Sequence, residues 1–255
     1  MSHRSVVLSA CAIALLFPSP ARAQETSRLD LRGHPQAIRL YGPAGHTPVV
    51  VASGDGGWIH LGPRVAEMLA GRGCSVVGFD AKAYLSSFTA SDGRVREEDV
   101  SGDFATLTAY ARARGDGTKP VLVGVSEGAA LAVLAATDSR TRDGISGVIG
   151  LGLGDLNELA WRWRDVVIYF THGVPNEPTF SVLGIVDRVS PAPLALIQST
   201  HDEFVAPAVA SAVFERAREP RRRWIVDASD HRFSGATSEL NNALIEAFAW
   251  IAAQQ

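Results

Sequence analysis

The sequence predicts an α/β fold: a mostly parallel sheet with helices on both faces. Two observations carry this. Short β-rich runs alternate with longer helical patterns along the chain, and several of the short runs are apolar throughout, as strands buried on both faces must be. The strand candidates are residues 37–40, 48–52, 75–80, 120–125, 147–153, 194–198 and 223–226. Helical stretches fall at 63–70, 98–114, 128–136, 206–218 and 238–252. In the last of these, Leu240, Leu244, Ile245, Phe248 and Ile251 recur at the spacing of one buried helix face. The chain of 255 residues, 46% hydrophobic and 20% charged, suits a single domain with a sizeable core. It shows no internal repeat and no low-complexity tract.

Residues 1–23 read as a targeting segment. His3 and Arg4 precede an apolar run over 6–17, and Ala21-Arg22-Ala23 forms a small-x-small cleavage site before Gln24. The run falls short of the roughly 20 residues a membrane-spanning helix needs, so a cleaved signal and a periplasmic location are expected. Leu8-Ser9-Ala10-Cys11 offers a lipoprotein alternative, but strongly apolar sequence continues past Cys11, on the wrong side of that cut. Cleavage removes Arg4 and Arg22 from a chain whose formal net charge is already −3. An acidic domain has no global field to gather nucleic acid or an anionic surface. Arg221-Arg222-Arg223 accordingly reads as the solvated start of a strand. Cys74, the one cysteine left after cleavage, cannot form an internal disulfide and sits in a strand pattern, as a buried, inert thiol would.

The strand–helix alternation breaks between 155 and 193, where Trp161, Trp163, Tyr169, Phe170 and Phe180 accumulate. An insertion of that length with that aromatic content suggests a cap over the carboxyl edge of the sheet. An ordinary helix with an edge strand over 166–170 is the plainer alternative.

The strongest local signal is Gly124-Val125-Ser126-Glu127-Gly128, which follows an apolar strand and precedes a good helix. A G-x-S-x-G sequence at a strand–turn–helix junction is the nucleophile elbow of an α/β-hydrolase fold. The glycines permit a tight, strained turn that holds the serine hydroxyl out over the sheet, and the helix N-terminus faces developing negative charge. A serine needs a base, and in this fold the partners follow in the order Ser, acid, His. His231, in a polar loop between the last strand and the last helix, is the expected base. Asp202 is the expected acid, with Asp155, Glu203 and Asp230 as competitors. Two backbone amides should hold an oxyanion: that of Glu127, after the serine, and that of Asp55, in the loop Ser53-Gly54-Asp55-Gly56-Gly57-Trp58. Trp58, Trp161 and Trp163 are candidates for substrate contact. The glycine loop lacks the Gly-Lys-Ser/Thr of a phosphate loop, and Gly150-Leu-Gly152-Leu-Gly154 continues with Asp155 and no helix-packing glycine, which argues against a dinucleotide. His201, Asp202 and Glu203 are adjacent and diverge, and no H-E-x-x-H occurs, so neither metal nor organic cofactor is expected.

The Ser53–Trp58 loop, the elbow continuing as Gly128-Ala129, and the ending Asp230-His231-Arg232-Phe233 resemble the VirJ/AcvB family of bacterial virulence-associated periplasmic proteins. The similarity spans about residues 37 to 251, and the S-G-D-G-G-W loop is its most specific part. The resemblance implies an α/β-hydrolase fold, a triad of Ser126, Asp202 and His231, and hydrolysis of lysyl- or alanyl-phosphatidylglycerol on the periplasmic side. The family often has an aromatic residue before the serine; here it is Val125, and Glu127 replaces a more neutral neighbour. The expected substrate is a small-molecule or lipid ester, taken at the membrane surface if the cap reaches it. The rivals are a non-catalytic partner of a secretion apparatus and a general carboxylesterase or peptidase.

Overall fold

The computed structural model describes residues 25–89, 93–162 and 178–255. The chain opens with a hairpin of β1 (Glu25–Leu31) and β2 (His34–Tyr41), joined by Arg32 and Gly33. Both turn residues have positive φ, 54° and 83°, the geometry whose twist matches a two-residue hairpin. Strand β3 (Pro48–Ala52), helix α1 (Leu61–Ala70), β4 (Ser75–Phe79), α2 (Ala81–Phe88), α3 (Glu97–Arg114), β5 (Val121–Val125), α4 (Glu127–Ala136), α5 (Ser139–Arg142) and β6 (Gly147–Leu151) follow. Then come a short ribbon of β7 (Leu156–Glu158) and β8 (Thr179–Ser181), a 3-10 turn at Val186–Arg188, β9 (Leu194–Ser199), α6 (Pro207–Arg216), β10 (Arg221–Val226) and α7 (Thr237–Ala252).

Eight strands form one sheet in the order β1-β2-β4-β3-β5-β6-β9-β10. The pairs β1–β2 and β2–β4 are antiparallel, and the other pairs are parallel. Strands β3 to β6 and β9 are buried at every position, which is why their sequences are apolar without alternation. One core lies on the face covered by α2, α3, α4 and α6, and a second lies under α1 and α7. Helix α4 is buried along all ten residues, so its run of Ala, Leu and Val needs no polar face. Strand order reverses at β3, with β4 on one side and β5 on the other, and in open parallel sheets such a switch point leaves a crevice at the carboxyl ends.

Several elements differ from the sequence expectations. Strand β1 and the first part of β2 were not expected, because a half-exposed edge hairpin alternates polar and apolar residues and lacks an apolar run. Asp80, expected at a strand end, instead caps α2, its carboxylate accepting the Ala83 N–H at 3.0 Å. Strand β10 starts at Arg221, two residues early, and its arginines are absorbed locally: Arg221 by Glu219, Arg222 over Trp224, Arg223 by Ser211. Cys74 precedes β4 and is half-buried, and burial pushes its thiol up, away from the reactive thiolate. The alternative edge strand at 166–170 lies outside the described residues. Among the described residues no helix is long and apolar enough to cross a membrane.

The hairpin is fastened to the core by two carboxylates of α3, Asp99 at 3.2 Å from Arg32 and, more closely, Asp103. Arg32 donates to Asp103 from Nε at 3.0 Å and from Nη2 at 2.8 Å, and the hydroxyl of the fully buried Tyr84 donates to the same Asp103 at 2.6 Å. Removing the acceptor leaves the buried Tyr84 hydroxyl without its partner and leaves Arg32 with Asp99 alone, at 3.2 Å. Asp103→Ala is therefore expected to lower the unfolding free energy by about 2–4 kcal/mol, measured by denaturant titration. A loss within about 0.5 kcal/mol, the usual range for ordinary surface changes, would show that apolar packing alone holds the hairpin.

Candidate active site

Ser126 sits between β5 and α4 with φ 51° and ψ −118°, a conformation that is costly for any residue with a side chain. Sterics explain the flanking glycines. A Cβ on Gly124 would lie 2.3 Å from the Ala129 Cα, and one on Gly128 would lie 2.3 Å from the Ser53 carbonyl oxygen and 2.6 Å from that of Ala52. Only glycine lets the start of α4 press against the ends of β3 and β5. The Ser126 N–H donates to the Leu151 carbonyl at 2.8 Å, which ties the turn to β6.

The glycine-rich loop after β3 approaches from the opposite side: Gly54 is so close that a Cβ there would meet the Ser126 Cβ at 3.3 Å. Asp80 shapes this loop by accepting the Trp58 N–H at 3.1 Å. The loop ends at His60, whose φ of 54° and ψ of −109° nearly repeat those of Ser126. Two strained strand-to-helix turns thus face one cavity of about 610 Å³. Gly54, Asp55, His60, Ser126, Glu127 and His231 are among the residues that line it.

His231 is buried on the loop before α7, and its Nδ1 lies 2.7 Å from Asp202 Oδ2. The other oxygen of Asp202 accepts the N–H groups of Phe204 and Val205, at 3.0 and 2.8 Å, which fixes the carboxylate at the top of β9. With Nδ1 committed to Asp202, Nε2 is the nitrogen left for chemistry. Gly152 leaves room for the ring: a Cβ there would lie 2.5 Å from the imidazole Cε1. The competing acids have other partners. Glu203 accepts the backbone N–H of His231 at 2.7 Å, Asp155 accepts the Ser181 hydroxyl and the Leu183 N–H, and Asp230 accepts from Arg232 and Ser234 in its own turn.

The chain matches the model of the bacterial virulence protein (VirJ) family over residues 46–248, well over half its length. It belongs to the VirJ family. No curated protein matches it. Among solved structures, it is similar to Est1E from Butyrivibrio proteoclasticus, with a TM-score of 0.65 and 15% identity over 89% of this chain and 99% of that one. A dienelactone hydrolase from Anabaena variabilis gives a TM-score of 0.63 at 18% identity, over 88% of this chain and 96% of that one. The esterase domain of a Rhodothermus marinus protein gives 0.58 at 19%, over 90% and 97%. At such identities the likeness shows the fold alone, and the fold is that of the α/β-hydrolases.

Within this VirJ-family fold the structure brings Ser126, His231, Asp55 and Glu127 to one cavity and sets Asp202 behind the imidazole. The tryptophans are placed differently from expectation. Trp58 packs over Gly78 and donates to the Tyr41 hydroxyl at 3.0 Å, so it anchors the glycine loop and does not line the cavity. Trp161 is buried in the core, with the Lys82 ammonium 4.0 Å from its ring centroid, and does not line the cavity either. Trp163 lies outside the described residues. Sequence reasoning missed Ile59, Leu156 and Phe204, which line the cavity while remaining 51%, 56% and 48% exposed. They sit singly in polar loops, so no local pattern marks them.

Glu127 departs from ordinary solution behaviour. Burial, with the nearby Asp55 and Glu158 adding to it, pushes its carboxyl well above the usual carboxylate range. A raised folded-state pKa means that the folded protein holds this proton more tightly than the unfolded chain. Stability is therefore lost as pH rises above the unfolded value near 4.5, until the folded group itself ionises. Glu127→Gln removes that penalty. Its stability relative to wild type should rise with pH above that value, by on the order of 1 kcal/mol per pH unit, in denaturation midpoints taken across pH. A pH-independent difference would place the carboxyl in water.

Proposed function

We propose that the protein is a periplasmic serine hydrolase that cleaves an ester through an acyl-enzyme. The observation that carries this is the 2.7 Å contact between Asp202 and the Nδ1 of an imidazole that shares its cavity with a strained elbow serine. In this mechanism Ser126 Oγ attacks the ester carbonyl carbon and passes its proton to His231 Nε2. Asp202 keeps the imidazole in the required tautomer and stabilises the imidazolium. The negative charge that forms on the carbonyl oxygen is taken by the amides of Glu127 and Asp55, where loss of one donor costs about 3–4 kcal/mol of barrier in comparable sites. The intermediate collapses as the imidazolium protonates the departing alcohol oxygen. Water, deprotonated by His231, then attacks the acyl-serine, and the acid is released as the imidazolium returns that proton to the departing Ser126 Oγ.

Family membership favours an aminoacyl-phosphatidylglycerol as the ester. The mouth of the cavity agrees with a lipidic substrate: Ile59, Leu156 and Phe204 are three of four exposed large apolar residues among those described. Apolar side chains gathered at one opening favour contact with a lipid or another apolar surface. The names of the structural neighbours, an esterase and a dienelactone hydrolase among them, favour a second reading as a general carboxylesterase.

Purified protein, assayed on lysyl- and alanyl-phosphatidylglycerol beside p-nitrophenyl esters, separates the two. The expected result is release of the amino acid from the lipid, with kcat falling by on the order of 10⁴–10⁶ in Ser126→Ala and about 10⁴ in Asp202→Asn. A fluorophosphonate probe should label wild type and not Ser126→Ala. Activity on p-nitrophenyl esters alone would favour the carboxylesterase, and no labelling with no turnover would leave a fold retained for binding a partner.

A further inference from the structure

Glu127 carries one side chain for which the ester chemistry above has no use. Its backbone amide faces the oxyanion, but its carboxyl is a separate matter. The residue lines the cavity and is only 7% exposed, and its Oε1 has no hydrogen-bond partner. The backbone N–H of Glu158 reaches the carboxyl, and the charged groups that act on it are Asp55, from the glycine loop, and Glu158, from β7. Among the described residues it forms no ion pair with a Lys, Arg or His. A buried carboxyl without a cation, faced by two further acids, is destabilising, and for packing alone a glutamine of the same shape would serve better. The position is costly to the empty protein and becomes favourable when a positive charge enters the cavity.

We propose that the Glu127 carboxyl is the seat for an ammonium group on the acyl part of the ester, and that it thereby sets the charge class of the substrate. The chemistry is a charge-assisted hydrogen bond from the ammonium to Oε1, with Asp55 and Glu158 adding to the field. As the cation binds, Glu127 gives up its proton to solvent, so the buried pair carries no net charge. The acyl side is assigned because Glu127 directly follows Ser126, to which the acyl group becomes attached, whereas the alcohol leaves on the side of His231, which hands it a proton. The assignment rests on the ester chemistry proposed above and adds to it a selectivity that the serine, histidine and aspartate do not supply.

The test uses two water-soluble esters of glycerol, the alanyl ester and its N-acetylated counterpart, which differ in the ammonium charge. For wild type, kcat/KM should favour the alanyl ester by about tenfold or more. In Glu127→Gln that ratio should fall by about tenfold or more, whatever happens to either rate, and Glu127→Asp should restore part of it. A ratio unchanged in Glu127→Gln, or a wild-type preference for the acetylated ester, overturns the assignment. Calorimetric binding to Ser126→Ala keeps the two ideas apart. If neither ester is hydrolysed, the ester chemistry fails, and the Kd values of Ser126→Ala for the two compounds decide the ammonium seat by themselves. Tighter binding of the alanyl ester, lost in the Ser126→Ala, Glu127→Gln double variant, supports the seat, and equal Kd values exclude it.

Discussion

The structure depends on the tight fit between the start of α4 and the ends of β3 and β5. Gly128 lies against the carbonyls of Ser53 and Ala52, and Gly124 lies against Ala129, with no space for a side chain at either glycine. This contact forces the chain to turn within one residue. It places Ser126 at φ 51° and points the amides of α4 across the cavity. The strain at Ser126 is sustained because the helix behind it is buried on all sides and cannot shift to relieve it. A similar constraint acts opposite, where Asp80 holds the glycine loop by the Trp58 N–H and His60 takes up nearly the same backbone conformation as the serine. The cavity is thus bounded by two stiff turns, which keep donors in place before any substrate arrives.

The remaining groups are positioned by the carboxyl ends of β9 and β10. Asp202 follows β9, and His231 lies on the loop after β10; the two strands are parallel neighbours in register, so their following loops are brought side by side. Glu203 adds a second tie by accepting the backbone N–H of His231, so the loop is held at its backbone as well as at its ring. The acids around the cavity have divided duties: Asp202 holds the imidazole, Glu203 the loop, and Asp155 the end of the β8 ribbon. Glu127 has no such partner for its Oε1 among the described residues, and burial, with Asp55 and Glu158 beside it, pushes its carboxyl well above the usual carboxylate range.

The apolar residues at the cavity mouth and the carboxyls within it have opposite preferences. Ile59, Leu156 and Phe204 favour an oily surface, while Glu127, Asp55 and Glu158 favour positive charge. The proposed ester, with a cationic end and a lipid end, would satisfy both at once. This pairing is a property of the cavity as a whole and belongs to none of its residues taken singly.

Much of this was fixed locally by the sequence. The buried parallel strands were legible because a strand covered on both faces is apolar at every position, and the elbow was legible because its sterics demand glycine on both sides of Ser126. The nearness of Ser126, Asp202 and His231 was legible because each follows the carboxyl end of a strand in one sheet. The edge strand β1 was not legible, since pairing at an edge asks for alternation and not for an apolar run, and α2 was hidden because Asp80 reads as well at a strand end as at a helix cap. What only the tertiary structure decided was assembly at a distance: that Trp58 and Trp161 face the core and not the cavity, that Glu203 holds the histidine loop, and that Glu127 lies near Asp55 and Glu158 with no cation beside it among the described residues. Those outcomes depend on burial and on which loops converge, and neither is encoded within a short stretch of chain.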